Sequence, residues 1–201
     1  MAKKKTKSVR AAPRNGRLTA DAWVAAGLDL LAHGGIDAAR IDQLTKVLGV
    51  TKGSFYWHFA ERADLLAAML EMWRRSATLA VIERLETHGS PAERLRRLLD
   101  LPLSGNAALR GQSLELAIRL WSRRDQAAAA AIEEVDQQRL AYTMSLLRAN
   151  GVSESRAGAA AYLIYAFVLA EALIPAKATA RIASRETLRG TLDELVRDHA
   201  G

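Results

Sequence analysis

A chain of 201 residues, 50% of them hydrophobic, can bury a substantial core without covalent or metal staples. It has no cysteine, which excludes disulfides, zinc-finger sites and thiol catalysis and suits a reducing cytoplasm. The net charge of +7 sits at one end: Met1 to Arg17 hold seven of the 29 Lys and Arg and no acid, leaving 22 cations against 22 acids in the rest.

Residues 1–17 therefore read as a basic disordered arm, either a solvated tail or, if a DNA-reading element follows, an arm that seeks phosphates or a minor groove. The arm lacks the apolar core of a secretory signal. His33, His58, His88 and His199 are not spaced as metal ligands, so neither metal nor cofactor is expected.

Pro13, Pro91, Pro102 and Pro175 all fall where a helical reading needs a break, and no alternating strand pattern occurs. About nine helices are expected, an all-α fold. The first runs from an N-cap at Thr19 to His33, ended by Gly34 and Gly35. The second covers Arg40 to Leu48 and buries Leu44, Val47 and Leu48. Gly49 then permits a sharp turn, Thr51 caps, and a short third helix runs to about His58.

A long fourth helix spans Arg62 to Thr87, with Leu66, Met69, Leu70, Trp73, Ala77 and Ala80 on one face. Ser90-Pro91-Ala92-Glu93 reads as a capping box that opens the fifth, up to Pro102. The sixth occupies Ala107 to Arg123, the seventh is capped by Asp125 and ended by Asn150-Gly151, and the eighth runs from Ser153 to Pro175. Ser184 caps the ninth, with Leu188, Leu192, Leu195 and Val196. The 13-residue apolar run Gly158 to Ala170 is shorter than the roughly 20 residues of a membrane span.

Two short helices joined through Gly49 form a helix-turn-helix, whose second helix enters a major groove. Val50, Phe55 and Phe59 recur at core-facing spacing. Lys52, Ser54, Tyr56, Trp57 and His58 point elsewhere, and two exposed aromatics beside a cation suit a partner surface.

The stretch Gly49-Val50-Thr51-Lys52-Gly53-Ser54-Phe55-Tyr56-Trp57-His58-Phe59 resembles the signature of the TetR family of bacterial regulators, over about Thr19 to Leu70. Gly35, Leu44 and Leu65-Leu66 match the family pattern. The resemblance implies that Tyr56 and His58 hold phosphates, that Lys52, Gly53, Ser54 and Trp57 face bases, with Thr51 in the same DNA-binding set, and that Arg62 grips the DNA backbone. Arg40 stands where the family has a capping threonine and offers a further phosphate contact. Thr45 and Glu61 also depart from the pattern.

The resemblance further implies an N-terminal helix-turn-helix domain, residues 18–65, and a C-terminal helical domain, residues 66–201, that binds a small-molecule effector and dimerises through its last two helices. Ala157 to Ala161 allow close helix approach, and Leu163, Ile164, Phe167 and Val168 leave the eighth helix apolar on most of its surface. Dimer candidates are Leu163, Phe167, Leu188, Leu192 and Leu195. Pocket candidates are Met69, Trp73, Trp121, Tyr142, Met144, Tyr162 and Tyr165, for an apolar or aromatic ligand; ordinary core packing competes for each. Glu171 needs a partner in its apolar helix, Arg119 or Arg139, whereas Glu115 and Arg119 read as an ordinary surface pair.

With no phosphate loop, nucleophile elbow or metal set, no enzyme is expected. The reading is a cytoplasmic, homodimeric, sequence-specific transcriptional repressor that a small molecule releases from a palindromic operator. The alternatives are a sequence-independent DNA binder, an activator, or a regulator without ligand.

Overall fold

The structure, a computed structural model, describes residues 18–101 and 106–174 and seven positions between 184 and 194; the side chains of 106–109, 171 and 172 are outside the description. The basic arm, the Glu171 side chain, Leu192 and Leu195 therefore lie outside the described residues.

The described chain is all-helical: α1 Ala20–Gly34, α2 Ile41–Leu48, α3 Lys52–Tyr56, α4 Arg62–Arg74, α5 Ala80–Glu86, α6 Pro91–Asp100, α7 Asn106–Ser122, α8 Gln126–Ala149 and α9 Glu154–Leu173. Local chemistry sets the starts. Thr19 accepts from the Ala22 N–H at 3.3 Å, Asp125 from the Ala128 N–H at 2.9 Å, and Ser90 and Glu93 exchange the two hydrogen bonds of a capping box ahead of Pro91. Ser184 accepts from the Thr187 N–H at 3.0 Å, where the ninth predicted helix was to begin. Thr51 stands at the α3 N-cap, but its side chain makes no capping bond.

The predicted fourth helix is α4 and α5 joined by a π-helical turn, Arg75–Leu79. A π turn holds an extra residue, so the inward register slips: Trp73 is buried, then Thr78 and Leu85, while Ala80 is exposed. Val47 likewise corrects the expectation, standing 54% exposed while Leu44 takes the core position of α2.

One apolar cluster joins Trp23, Val24 and Leu31 of α1 to Leu44, Phe55, Phe59 and Leu65, and continues through Met69 and Trp73 into α7 and α8 at Ile118, Trp121, Ala131 and Val135. It crosses the boundary expected at residue 65. A second cluster packs Leu95 and Leu99 of α6 and Leu147 of α8 against Ala160, Ala161 and Ile164 of α9. The small residues of α9 thus serve close contact with α8.

Candidate nucleic-acid interface and adjoining cavity

α2 ends at Gly49, whose left-handed backbone (φ 69°, ψ 35°) reverses the chain. Phe55 anchors α3 in the core, edge-on to Trp23 at 5.4 Å and tilted against Phe59 at 5.5 Å. That orientation turns the rest of α3 outward: Tyr56 is 57% and Trp57 78% exposed. Thr51, Gly53, Ser54, Trp57 and His58, with Leu18, line one surface groove of about 430 Å³, which brings five predicted residues together. Lys52 and Tyr56 are exposed on the same short helix, and Arg40 is exposed at the start of α2 without capping it.

Two residues behave otherwise than the sequence suggested. Lys52 Nζ lies 2.6 Å from Asp42 Oδ1, a pair reaching from α3 back to α2. The hydrogen bond and charge of Asp42 raise the ammonium above its ordinary range, and Lys52 in turn holds the carboxyl below its own. Arg62, expected to grip the DNA backbone, is already engaged within the chain. Its Nε donates to the Ala39 carbonyl and an Nη to the Ile36 carbonyl, both at 2.9 Å, so the guanidinium caps a 3₁₀ turn, Ile36–Ala38, inside the protein. Asp42 was missed because helical periodicity within α2 says nothing about what α3 brings to it.

Behind this module lies a cavity of about 640 Å³ walled by Trp73, Ala77, Val81, Leu85, Leu114, Glu115, Arg139 and Val168, among others. A smaller chamber of about 120 Å³ shares Ala77, Val81, Leu85 and Arg139 with it and adds Thr78, Tyr142 and Tyr165. Of the pocket candidates, Trp73, Tyr142 and Tyr165 line this space. Met69 is fully buried core, Met144 packs against the second cluster, and Trp121 faces a separate groove beside α1. Tyr162 is 65% exposed on the outside of α9, too far into solvent for a pocket wall.

Glu115 is no surface residue; it is 8% exposed. Arg139 brackets its carboxylate at 3.0 and 3.1 Å, Arg119 adds a bond at 3.0 Å and reaches Asp136 at 2.6 Å, and Tyr165 donates to Asp136 at 2.5 Å. Arg139 also donates to the Ala77 carbonyl in the π turn, at 3.3 Å. Burial alone would lower the Arg119 guanidinium, but the Asp136 hydrogen bond and the surrounding charges hold it above its ordinary range. Among the described residues no group of three or more acids or histidines could hold a metal ion, and no helix is long and apolar enough to cross a membrane.

Residues 24–69 match the family model for bacterial regulatory proteins of the tetR family. Over 76 residues the chain is 30% identical to the HTH-type transcriptional regulator AcrR of Shigella flexneri, an alignment covering 36% of this chain and 34% of that one. The chain thus spans about a third of that relative's length. The overall fold is similar to that of a Saccharomonospora viridis protein solved with choline (TM-score 0.73, 19% identity, 90% of this chain and 95% of that one). It is also similar to that of a transcriptional regulator from Rhodococcus sp. Rha1 (TM-score 0.70, 23% identity, 89% and 94%). The helix-turn-helix segment of residues 24–69, with its buried Phe55, is similar to that of the tetR family of bacterial regulatory proteins, and the all-helical body behind it shares its fold with these solved structures.

Proposed function

We propose that this protein is a cytoplasmic, homodimeric transcriptional repressor whose α3 reads a palindromic operator and whose cavity receives the small molecule that releases it. The observation that carries DNA reading is the outward presentation of Tyr56, Trp57 and Lys52 by a helix too short to be stable unless Phe55 anchors it. Thr51, Gly53, Ser54 and His58 adjoin them, and Arg40 flanks the set; the basic arm adds sequence-independent attraction. Residues 18–65 form the reading module and 66–201 the effector and dimer module in this proposal.

Dimerisation is supported by the outer face of α9, where Tyr162, Leu163 and Leu173 are 65%, 50% and 60% exposed. Phe167 packs partly inward and Leu188 is half-buried, so Leu163 is the better marker of the interface. The continuous core from Phe55 to Val135 offers a path by which a filled cavity alters the spacing of two reading helices. No catalytic role is proposed. Binding selection from random DNA tests the reading: a two-fold symmetric site, with half-sites about 34–36 Å apart or a multiple of that, is expected. Retention of DNA without sequence enrichment would favour a sequence-independent binder.

A further inference from the structure

The charged groups that line the cavity are unevenly paired. Two acids line it, Asp100 and Glu115. Glu115 offers nothing to a cation, since both of its oxygens are taken by Arg119 and Arg139, and Asp100 is itself partnered. Two guanidiniums, Arg84 on α5 and Arg97 on α6, also line the cavity, both exposed and neither ion-paired among the described residues. The walls between are apolar: Trp73, Val81, Leu85, Leu101 and Leu114.

The inner chamber carries an independent sign of a ligand. The Thr78 side chain, 1% exposed, lines it, and its hydroxyl has no hydrogen-bond partner among the described residues. A buried hydroxyl without a partner is costly, and a ligand atom in the chamber would relieve it. Tyr142 and Tyr165, which share the chamber, already donate to Glu86 and Asp136. Thr78 lies six residues before Arg84, about 9 Å along the helix axis.

From this juxtaposition we infer that the cavity takes an amphipathic organic acid: its anionic head sits at Arg84 and Arg97, its apolar body along Val81, Leu85 and Leu101, and a hydrogen-bonding atom remote from the head meets Thr78. The choice excludes cations as preferred ligands, unlike the choline seen with the Saccharomonospora viridis protein. The inference deepens the effector half of the proposed function and needs no DNA to be tested.

Isothermal titration calorimetry of the full chain at neutral pH, with decanoate, ω-hydroxydecanoate and decyltrimethylammonium, is decisive. Two partly screened charges predict decanoate over the ammonium probe by about tenfold, a preference lost in the Arg84→Gln/Arg97→Gln double variant. ω-Hydroxydecanoate should exceed decanoate by about fivefold, an advantage erased by Thr78→Val, whose shape is unchanged. Equal or tighter binding of the ammonium probe, no heat with decanoate, or a preference that survives the double variant would overturn the ligand class. A hydroxyl advantage unchanged in Thr78→Val would overturn the seat. Selection of a symmetric duplex, measured on the same preparation, keeps failure here separate from failure of the regulator reading.

Discussion

Lys52 and Asp42 are joined across the helix-turn-helix at 2.6 Å, so the exposed cation on α3 is held by an acid on α2. Both side chains are more than 60% exposed, and DNA phosphates or a guanine edge can compete for the ammonium. Lys52→Ala should weaken binding to a selected site by about tenfold more than to random DNA, the size of one good base contact. Asp42→Asn should strengthen binding to both DNAs by removing a negative charge from the interface. Parallel losses on both duplexes in Lys52→Ala, read by fluorescence anisotropy, would make Lys52 a phosphate contact and leave base reading to Ser54 and Trp57.

Arg62 gives a prediction opposed to its family role. Its two charge-assisted bonds to Ile36 and Ala39 tie the start of α4 to the entry of α2, and each such bond is worth about 1.5–3 kcal/mol. Arg62→Ala should lower stability by about 2–4 kcal/mol, and Arg62→Lys should recover less than half, because an ammonium cannot reproduce the two-pronged geometry. The slope of log K against log salt should stay the same in Arg62→Ala, which removes the charge. A slope shallower by about 0.9 would show a phosphate contact instead.

These two residues mark how far the sequence could be read. Caps, prolines and periodicity made Thr19, Ser90, Asp125 and Ser184 legible because each acts within three residues of itself. The motif around Phe55 was legible because one buried ring dictates which of its neighbours face outward. The Asp42–Lys52 pair, the Arg62 cap and the Glu115 network depend on where separate helices meet, which helical spacing does not encode. The π turn was hidden for a related reason. Ala77 and Ala80 continue the α-helical stripe, and only tertiary packing, including the bond from Arg139 to the Ala77 carbonyl, selects the register that buries Thr78.

Gly35 and Gly49 both have positive φ with open space around them, yet their tolerance should differ. Gly49 is in the left-handed helical region, which asparagine also adopts, so Gly49→Asn should cost well under 1 kcal/mol and Gly49→Ala about 1 kcal/mol. Gly35 combines φ 70° with ψ −176°, a region essentially restricted to glycine. Gly35→Asn and Gly35→Ala should each cost about 1–3 kcal/mol in urea denaturation. Equal effects of the two asparagine variants would contradict the distinction.

The exposed face of α9 predicts the assembly. Leu163→Glu, placed where the side chain is half in solvent, should give a folded monomer by sedimentation with unchanged helical content. Phe167→Glu should instead destabilise the protomer itself, because Phe167 packs against the second core cluster. A dimer of unchanged mass in Leu163→Glu would remove α9 from the interface.

Tyr165 supplies the last prediction, because it closes the network between α7, α8 and α9. Burial, foremost, and its hydrogen bond to Asp136 push the hydroxyl up to about 12, against the pull of Arg139 and Arg119. The unfolded chain titrates near 10. A folded value above the unfolded one means that the linked stabilisation is complete below pH 10 and is lost as pH rises toward 12. Tyr142, also raised to about 12 by burial and its bond to Glu86, loses its contribution over the same interval. The urea midpoint should therefore be flat from pH 7 to 9 and fall between about 10 and 12. Tyr165→Phe leaves Asp136 short of one donor and should cost about 1–2 kcal/mol at pH 8. It should also flatten, without abolishing, the alkaline fall, since Tyr142 remains. If Tyr165→Phe and the parent protein lose stability in parallel above pH 10, the alkaline transition belongs to other groups, and the network is held by its two arginines and two acids alone.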